Sequence, residues 1–297
     1  MAPGSEGWIT DPGGEGFAHI YRVDELLYDG RSPYQRIRVI RNADFGRMLI
    51  LDEAVQTTER DDFIYHELLS HVPLCTHPRP RRVLIIGGGD GGLLREVLRH
   101  PIEHATMVEI DRAVVEVTRR YIPEIPGRAF DDPRARLVID DGIAFVRETD
   151  ERFDVALVDS TDPVGPAVGL FTAAFYGQLA ARLGPEGVLA VQSGSPLYQR
   201  HVMAMVARHM APHFHWIRPY LGTVPTYPGA LWSFTIGSQA RDPLALDEVE
   251  LARRLEGITT RYYTPAAHRH LFTFPPFLAT TQEDGAGAPS GPATPGA

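Results

Sequence analysis

Residues Ile85–Leu94 read IIGGGDGGLL. They close an apolar run, RRVLIIG, that has the look of a buried strand, and they open GLLREVLRH. In that segment Leu93, Leu94, Val97 and Leu98 share one side of a helix. A glycine turn between strand and helix lets a ligand sit against the backbone at the helix N-terminus. The unusual feature is Asp90 at the centre of the turn. Gly87, Gly89 and Gly92 formally fit the dinucleotide pattern G-x-G-x-x-G, but Asp90 would then face a pyrophosphate. Like charges in a dry pocket cost several kcal/mol, as an order of magnitude, unless one is neutralised.

The alternation continues downstream. HATMVEID, ARLVIDD, RFDVALVD and GVLAVQ read as strands; RAVVEVTRRYI, GIAFVRET, LFTAAFYGQLAARL and PLYQRHVMAMVARHM read as helices. Gly184–Pro185 is expected to end the third of these helices, and FHWIRPY and ALWSFTIGS to be the last strands. Apolar strands alternating with helices predict an α/β fold, a parallel sheet covered on both faces. Upstream, FAHIYRV, YQRIRVIR and GRMLILD alternate like half-buried strands, with turns at DGRSP and NADFG, which predicts a small antiparallel sheet of hairpins. ERDDFIYHELLSHVPL reads as a helix stopped by Pro73, and CTHPRPRR as a link. The expected organisation is an N-terminal β domain with linking helix over 1–75, a catalytic domain over 76–284, and a Gly/Pro/Ala-rich disordered tail over 285–297.

Composition removes several classes. The chain has 297 residues and a formal charge of −9, and every basic residue is Arg. A Walker phosphate loop and a pyridoxal Schiff base both need Lys, so neither is available. An acidic chain is a poor nucleic-acid binder and draws cationic partners, although many proteins are acidic merely to stay soluble. No apolar run approaches the ~20 residues that span a bilayer, and the N-terminus has no secretory pattern. Cys75 is the single cysteine, which excludes an intramolecular disulfide and a cysteine zinc cluster and points to a cytoplasmic home.

Carboxylates gather where strands end. Glu109 closes the strand after the glycine turn, 22 positions beyond Gly87, where an acidic residue binds ribose hydroxyls in nucleoside sites. Asp141 ends the next strand and suits either an adenine amino group or a helix N-cap. Asp159 ends the fourth, in LVDSTDPVGPAVGLF, and Asp162 lies three residues on. Ligands of open α/β sheets bind at the carboxyl ends of strands. With Asp90 these groups make one acidic rim, suited to magnesium or to a polyamine. Trp8, Tyr65, Tyr227 and Trp232 interleave with them, and aromatic faces favour the amine. Asp90 suits a nucleoside donor that has lost its own carboxylate, an aminopropyl sulfonium carrying only positive charge.

LDEAVQTTERDDFIYHELLSHVPL, IIGGGDGGLLREVLRHP, MVEID, IDDG, DSTDPVGPA and VPTYPGALWSF together resemble the spermidine synthases, the polyamine aminopropyltransferases, from about Trp8 to Phe277. The resemblance implies a Rossmann-like, methyltransferase-type sheet behind a small N-terminal antiparallel β domain, assembled as a homodimer or homotetramer. It implies transfer of the aminopropyl group of decarboxylated S-adenosylmethionine to an amine, usually putrescine, without a metal. Carried over by position, Gln35, His66, Gly87, Asp90, Glu109, Asp141 and Gly142 would contact the donor, with His66 standing where some members have Gln. Asp159 would be catalytic with Tyr65, and Trp8, Tyr65, Asp162, Gln192 and Tyr227 would line the amine channel. Val168 stands where many relatives have glutamate, which bears on acceptor length. Agmatine, cadaverine or a longer polyamine are alternative acceptors. An S-adenosylmethionine-dependent N-methyltransferase, an NAD-dependent dehydrogenase and a non-catalytic polyamine binder are the rival readings.

Overall fold

The structure, a computed structural model, describes residues 7–14, 16–163 and 165–279. The tail expected over 285–297 lies outside the described residues. Strands β1 (Trp8–Gly14) and β2 (Phe17–Arg22) form an antiparallel pair. Strands β3 (Glu25–Arg31), β4 (Arg36–Asn42), β5 (Gly46–Leu51) and β6 (Ala54–Thr58) form a four-stranded antiparallel sheet in chain order. The two-residue period of β4 and β5 divides their apolar side chains between two faces. Ile40, Met48 and Ile50 pack with Ile9 and Tyr21 of the β1–β2 pair. Ile37, Val39, Leu49 and Leu51 pack with Val114 and Val117 of the following domain.

Two expectations for this region need correction. Strand β3 runs through Asp29–Arg31, so the turn begins only at Ser32, whose hydroxyl accepts the N–H groups of Tyr34 and Gln35 at 3.1 Å each. β1, β3 and β6 are strands that alternation did not mark. TDPGG is a poor strand former whose pairing comes from its partner, and AVQTT, with Val55 and two threonines, suits a strand but is only five residues long.

Helix α1 (Asp62–Thr76) passes through Pro73 rather than stopping at it. A proline inside a helix costs about 3 kcal/mol. Here the helix is buried on all sides, every residue from Ile64 to Thr76, and His77 N–H closes the last turn on the Pro73 carbonyl at 3.1 Å. Packing outweighs the break. Leu68, Leu69 and Val72 share a core with Val83, Ile85, Leu93 and Leu157, so by packing α1 sits with the large sheet.

That sheet follows as β7 (Arg82–Gly87), α2 (Gly92–Val97), β8 (His104–Glu109), α3 (Arg112–Tyr121), β9 (Ala135–Ile139), α4 (Gly142–Glu148), β10 (Phe153–Asp159), α5 (Ala173–Arg182), β11 (Leu183–Gln192), α6 (Arg200–Met210), β12 (Trp216–Thr223) and β13 (Leu231–Ser238). The seven strands lie in the order β12-β13-β11-β10-β7-β8-β9. β7 to β11 are parallel; β13 runs antiparallel to both of its neighbours, β11 and β12, so the sheet is mixed rather than wholly parallel. Short apolar strands carry no mark of direction, and the link between β12 and β13 is a tight excursion with no crossover helix. Gly184–Pro185 lies inside β11: Leu183 pairs with Phe153 and Val188 with Val155, and the residues between them bulge out of the parallel register. The winding reverses between β7 and β10, and there the carboxyl ends of adjacent strands open a crevice. Among the described residues no helix is long and apolar enough to cross a membrane.

Candidate active site

A cavity of about 620 Å³ opens at that switch point. Its floor is the glycine turn. Gly87 pairs with Asp159 across β7 and β10, and Gly88 N–H donates to the Asp159 carbonyl at 2.9 Å. Gly87 has φ +83°, and a Cβ there would fall 2.0 Å from that carbonyl oxygen. This glycine therefore serves the strand end as well as any ligand: it lets β10 deliver Asp159 beside the turn that carries Asp90.

Asp159 is the centre of the polar arrangement. Tyr65, from α1, donates its hydroxyl to Asp159 Oδ1 at 2.8 Å. Burial, and then the neighbouring charge of Asp90, push the Asp159 carboxyl from an ordinary 3.8 up to about 6, against the opposing pull of His66 and Tyr65. Burial and the Asp159 charge hold the Tyr65 phenol well above its ordinary value, so it remains a donor. Asp90 Oδ1 accepts Gly92 N–H at 2.8 Å, and its Oδ2 lies 3.4 Å from His66 Nε2.

To one side, Glu109 ends β8 and is buried. Its Oε1 accepts Asp111 N–H at 2.8 Å. Burial raises its carboxyl to about 7, opposed by the backbone of Asp111. Asp111 caps α3 and accepts the Gln35 Nε2 amide at 2.9 Å and the Ser32 hydroxyl at 2.6 Å, which fixes Gln35 at the cavity wall. Asp141 is the N-cap of α4, accepting Ile143 N–H at 2.7 Å, and with Gly142 it lines the same side.

To the other side, Asp162 accepts the Gln199 Nε2 amide at 2.7 Å. Burial raises its carboxyl, and the amides of Gln199 and Gln192 oppose this. Gln192 faces the cavity with its amide engaged by the Ser160 carbonyl at 3.2 Å and by Gly194 N–H at 2.9 Å. Tyr227 donates to the Gln56 carbonyl at 2.7 Å, and its ring meets Tyr65 at 5.7 Å and Trp232 at 4.6 Å. These three rings form an aromatic wall suited to a cationic chain.

Twelve of the thirteen expected site residues line this one cavity: Tyr65, Gln35, His66, Gly87, Asp90, Glu109, Asp141, Gly142, Asp159, Asp162, Gln192 and Tyr227. Trp8 does not. It is 46% exposed, opposite Arg22 in the β1–β2 pair, and β1 reaches the cavity through Asp11, Pro12 and Gly13 instead. Sequence reasoning missed Asp11, Gln56, Ser195 and Gln199. Gln199 was hidden inside an expected helix; α6 starts only at Arg200, and Gln199 folds back so that its N–H meets the Ser195 carbonyl at 2.7 Å. Among the described residues no group of three or more His, Cys, Asp or Glu is placed to hold a metal ion.

Comparison with known proteins agrees with this geometry. The spermine/spermidine synthase domain matches residues 62–247, and the spermidine synthase tetramerisation domain matches residues 7–59. A polyamine aminopropyltransferase of Desulforudis audaxviator is 47% identical over 92% of this chain and 98% of its own length. That of Bacillus subtilis is 40% identical over 93% and 98%. A crystal structure of spermidine synthase in complex with the transition-state analogue AdoDATO superposes with a TM-score of 0.89 at 37% identity, covering 94% of this chain and 96% of that one. Spermidine synthase from Thermotoga maritima gives 0.87, also at 37% identity, covering 94% and 95%. Fold, cavity and both domain matches converge, and the chain belongs to the spermidine/spermine synthase family, the polyamine aminopropyltransferases.

Proposed function

We propose that this enzyme transfers the aminopropyl group of decarboxylated S-adenosylmethionine to putrescine, giving spermidine and methylthioadenosine. The observation that carries the proposal is the Tyr65–Asp159 pair at 2.8 Å, set in one cavity between Asp90 on one flank and Asp162 on the other. Asp90 is the partner of the donor's ammonium, Glu109 of its ribose hydroxyls, and Asp141 with Gly142 of its adenine. Gln35 and His66 complete the donor side. The aromatic wall of Tyr65 and Tyr227, with Asp162 and Gln192, holds the acceptor. A negatively lined, partly apolar cavity selects two cationic substrates, and the carboxylate of intact S-adenosylmethionine would meet Asp90 unfavourably.

An alkyl ammonium must lose a proton before it attacks. Asp159 accepts that proton, and its carboxyl, raised to about 6, lies closer to the amine than an ordinary aspartate would. The freed nitrogen lone pair forms a bond to the methylene next to sulfur. The carbon–sulfur pair stays on sulfur, which becomes the neutral thioether of methylthioadenosine. The remaining acceleration is alignment of nitrogen, carbon and sulfur by Asp90 and Asp162 from opposite sides.

The kinship with enzymes crystallised as spermidine synthases supports putrescine as the acceptor. The tetramerisation-domain match supports assembly as a homotetramer through residues 7–59. The single cysteine, buried in α1, supports work in the cytoplasm. A panel of putrescine, cadaverine, agmatine and spermidine, each supplied with the decarboxylated donor and analysed by product mass, tests the acceptor. Putrescine should give the highest kcat/KM. A larger value for another amine corrects the acceptor, and methyl transfer from intact S-adenosylmethionine overturns the reaction.

A further inference from the structure

A second cavity, of about 280 Å³, lies behind α1, lined by Asp62, Phe63, Arg95 and Glu96 among others. One buried chain of charges joins it to the first. Arg95 donates to Asp62 Oδ2 at 2.8 Å. The same Asp62 oxygen lies 3.4 Å from His66 Nδ1, and His66 Nε2 lies 3.4 Å from Asp90 Oδ2. His66 is 2% exposed, and its ring rests on the first residue of α2. A Cβ on Gly92 would fall 2.2 Å from the His66 ring. The last glycine of GGGDGG is thus required by an imidazole, not by a nucleoside.

This arrangement gives both ring nitrogens an acidic neighbour, and only an imidazolium has a proton for each. Burial opposes the charge, yet Asp90 and Asp62 together lift the His66 pKa to about 10. The charged groups around the ring are Asp62 on its own helix, Asp90 on the glycine turn, Arg95 of α2 behind Asp62, and Asp159 beyond Asp90. Asp62 does not line the first cavity.

We infer that Asp62 is a positioning residue for the donor: it keeps His66 charged and turned to Asp90, and so sets the negative charge that Asp90 presents to the donor's ammonium. The inference rests on the assignment of Asp90 to that ammonium. Imidazolium and ammonium compete for one carboxylate. While Asp62 holds the proton on His66, that competition is constant across the neutral range. Without Asp62, His66 keeps one acidic neighbour and loses its proton at a lower pH. Asp90 is then released to the ammonium as pH rises.

The test is calorimetric binding of decarboxylated S-adenosylmethionine and of methylthioadenosine, which lacks the aminopropyl ammonium, from pH 6 to 9. Glu109 and Asp159 titrate in this range beside either ligand, so the readout is the ratio of donor affinity to methylthioadenosine affinity, and in the wild-type enzyme this ratio should be nearly constant. In Asp62→Asn the ratio should rise with pH by about tenfold, the change that corresponds to one pK unit of coupling. The double variant Asp62→Asn with His66→Gln should lose the pH dependence, because glutamine donates without titrating. Arg95→Gln keeps Asp62 and should stay flat. A ratio that stays constant with pH in Asp62→Asn, so that both ligands change equally, overturns the inference. Failure of the wild-type enzyme to bind the donor at all would instead sink the proposed function.

Discussion

On the donor side of the cavity, backbone holds the polar groups. Asp90 sits in the turn after β7 and accepts Gly92 N–H, Glu109 ends β8 and accepts Asp111 N–H, and Asp141 caps α4. On the acceptor side, most of the polar groups lean on loops and on one another. Asp162 is held by Gln199, Gln192 by loop carbonyls, and Tyr227 by the Gln56 carbonyl from the N-terminal sheet. The first half is fixed by a sheet whose strand ends have few places to go. The second depends on amides that have other partners within reach. The donor half should therefore tolerate little change in geometry, and the acceptor half is where reach and selectivity can drift.

Asp159 belongs to both halves, and its loss should have the largest effect. Asp159→Asn keeps the shape and removes the base, so kcat should fall by roughly 100-fold or more. Near-normal turnover would remove Asp159 from the proton transfer. In the wild-type enzyme the base must be ionised, so kcat/KM should decline as pH falls through about 6, where burial has placed the Asp159 carboxyl. Tyr65→Phe should come next. A hydrogen bond to a charged group contributes about 1.5–3 kcal/mol, so neutral-pH activity should drop by roughly tenfold or more. The Tyr65 hydroxyl lowers the Asp159 pKa, so its loss should move the acid limb of the profile to higher pH. An unmoved limb would mean that Tyr65 merely packs.

The comparison of halves is sharpest in a crossed pair. Asp90→Ala should raise the donor KM by tenfold or more with little change for the acceptor, and Asp162→Ala should do the reverse, each losing a charged hydrogen-bond partner. Equal effects of both variants on both substrates would mean that the two flanks are misassigned.

How far the sequence announces this molecule follows the same division. Asp90, Glu109, Asp141 and Asp159 are legible because a strand's end is marked by the change from apolar run to turn, and a parallel sheet brings such ends together. Strand direction is not marked: β13 looks like the strands before it and runs against them. Pro73 reads as a stop because its local cost is visible, whereas the burial that offsets it involves residues far along the chain. Trp8 and Asp11 show the limit most clearly. Both lie on β1, three residues apart and therefore on opposite faces, and only pairing with β2 decides which one reaches the cavity. The Asp62–His66–Asp90 chain is illegible for the same reason, since it needs a helix and a turn to meet.

Gln199 gives the smallest effect and the finest probe of the acceptor half. Its Nε2 donates to Asp162 at 2.7 Å, and its Oε1 accepts Ser195 N–H at 3.0 Å, so one side chain fixes both a loop and a carboxylate. Gln199→Met keeps the length and removes the donor. Asp162 then has less to offset the burial that already raises its carboxyl, and more of it is protonated at a given pH. Loss of about 1 kcal/mol of net hydrogen bonding predicts a roughly fivefold rise in the acceptor KM. The rise should grow as pH is lowered, because a protonated Asp162 cannot pair with an ammonium. The donor KM should stay put, since nothing on the backbone-held side touches Gln199. If both KM values rise together and without pH dependence, the loop itself has moved, and the two halves of the cavity are mechanically one.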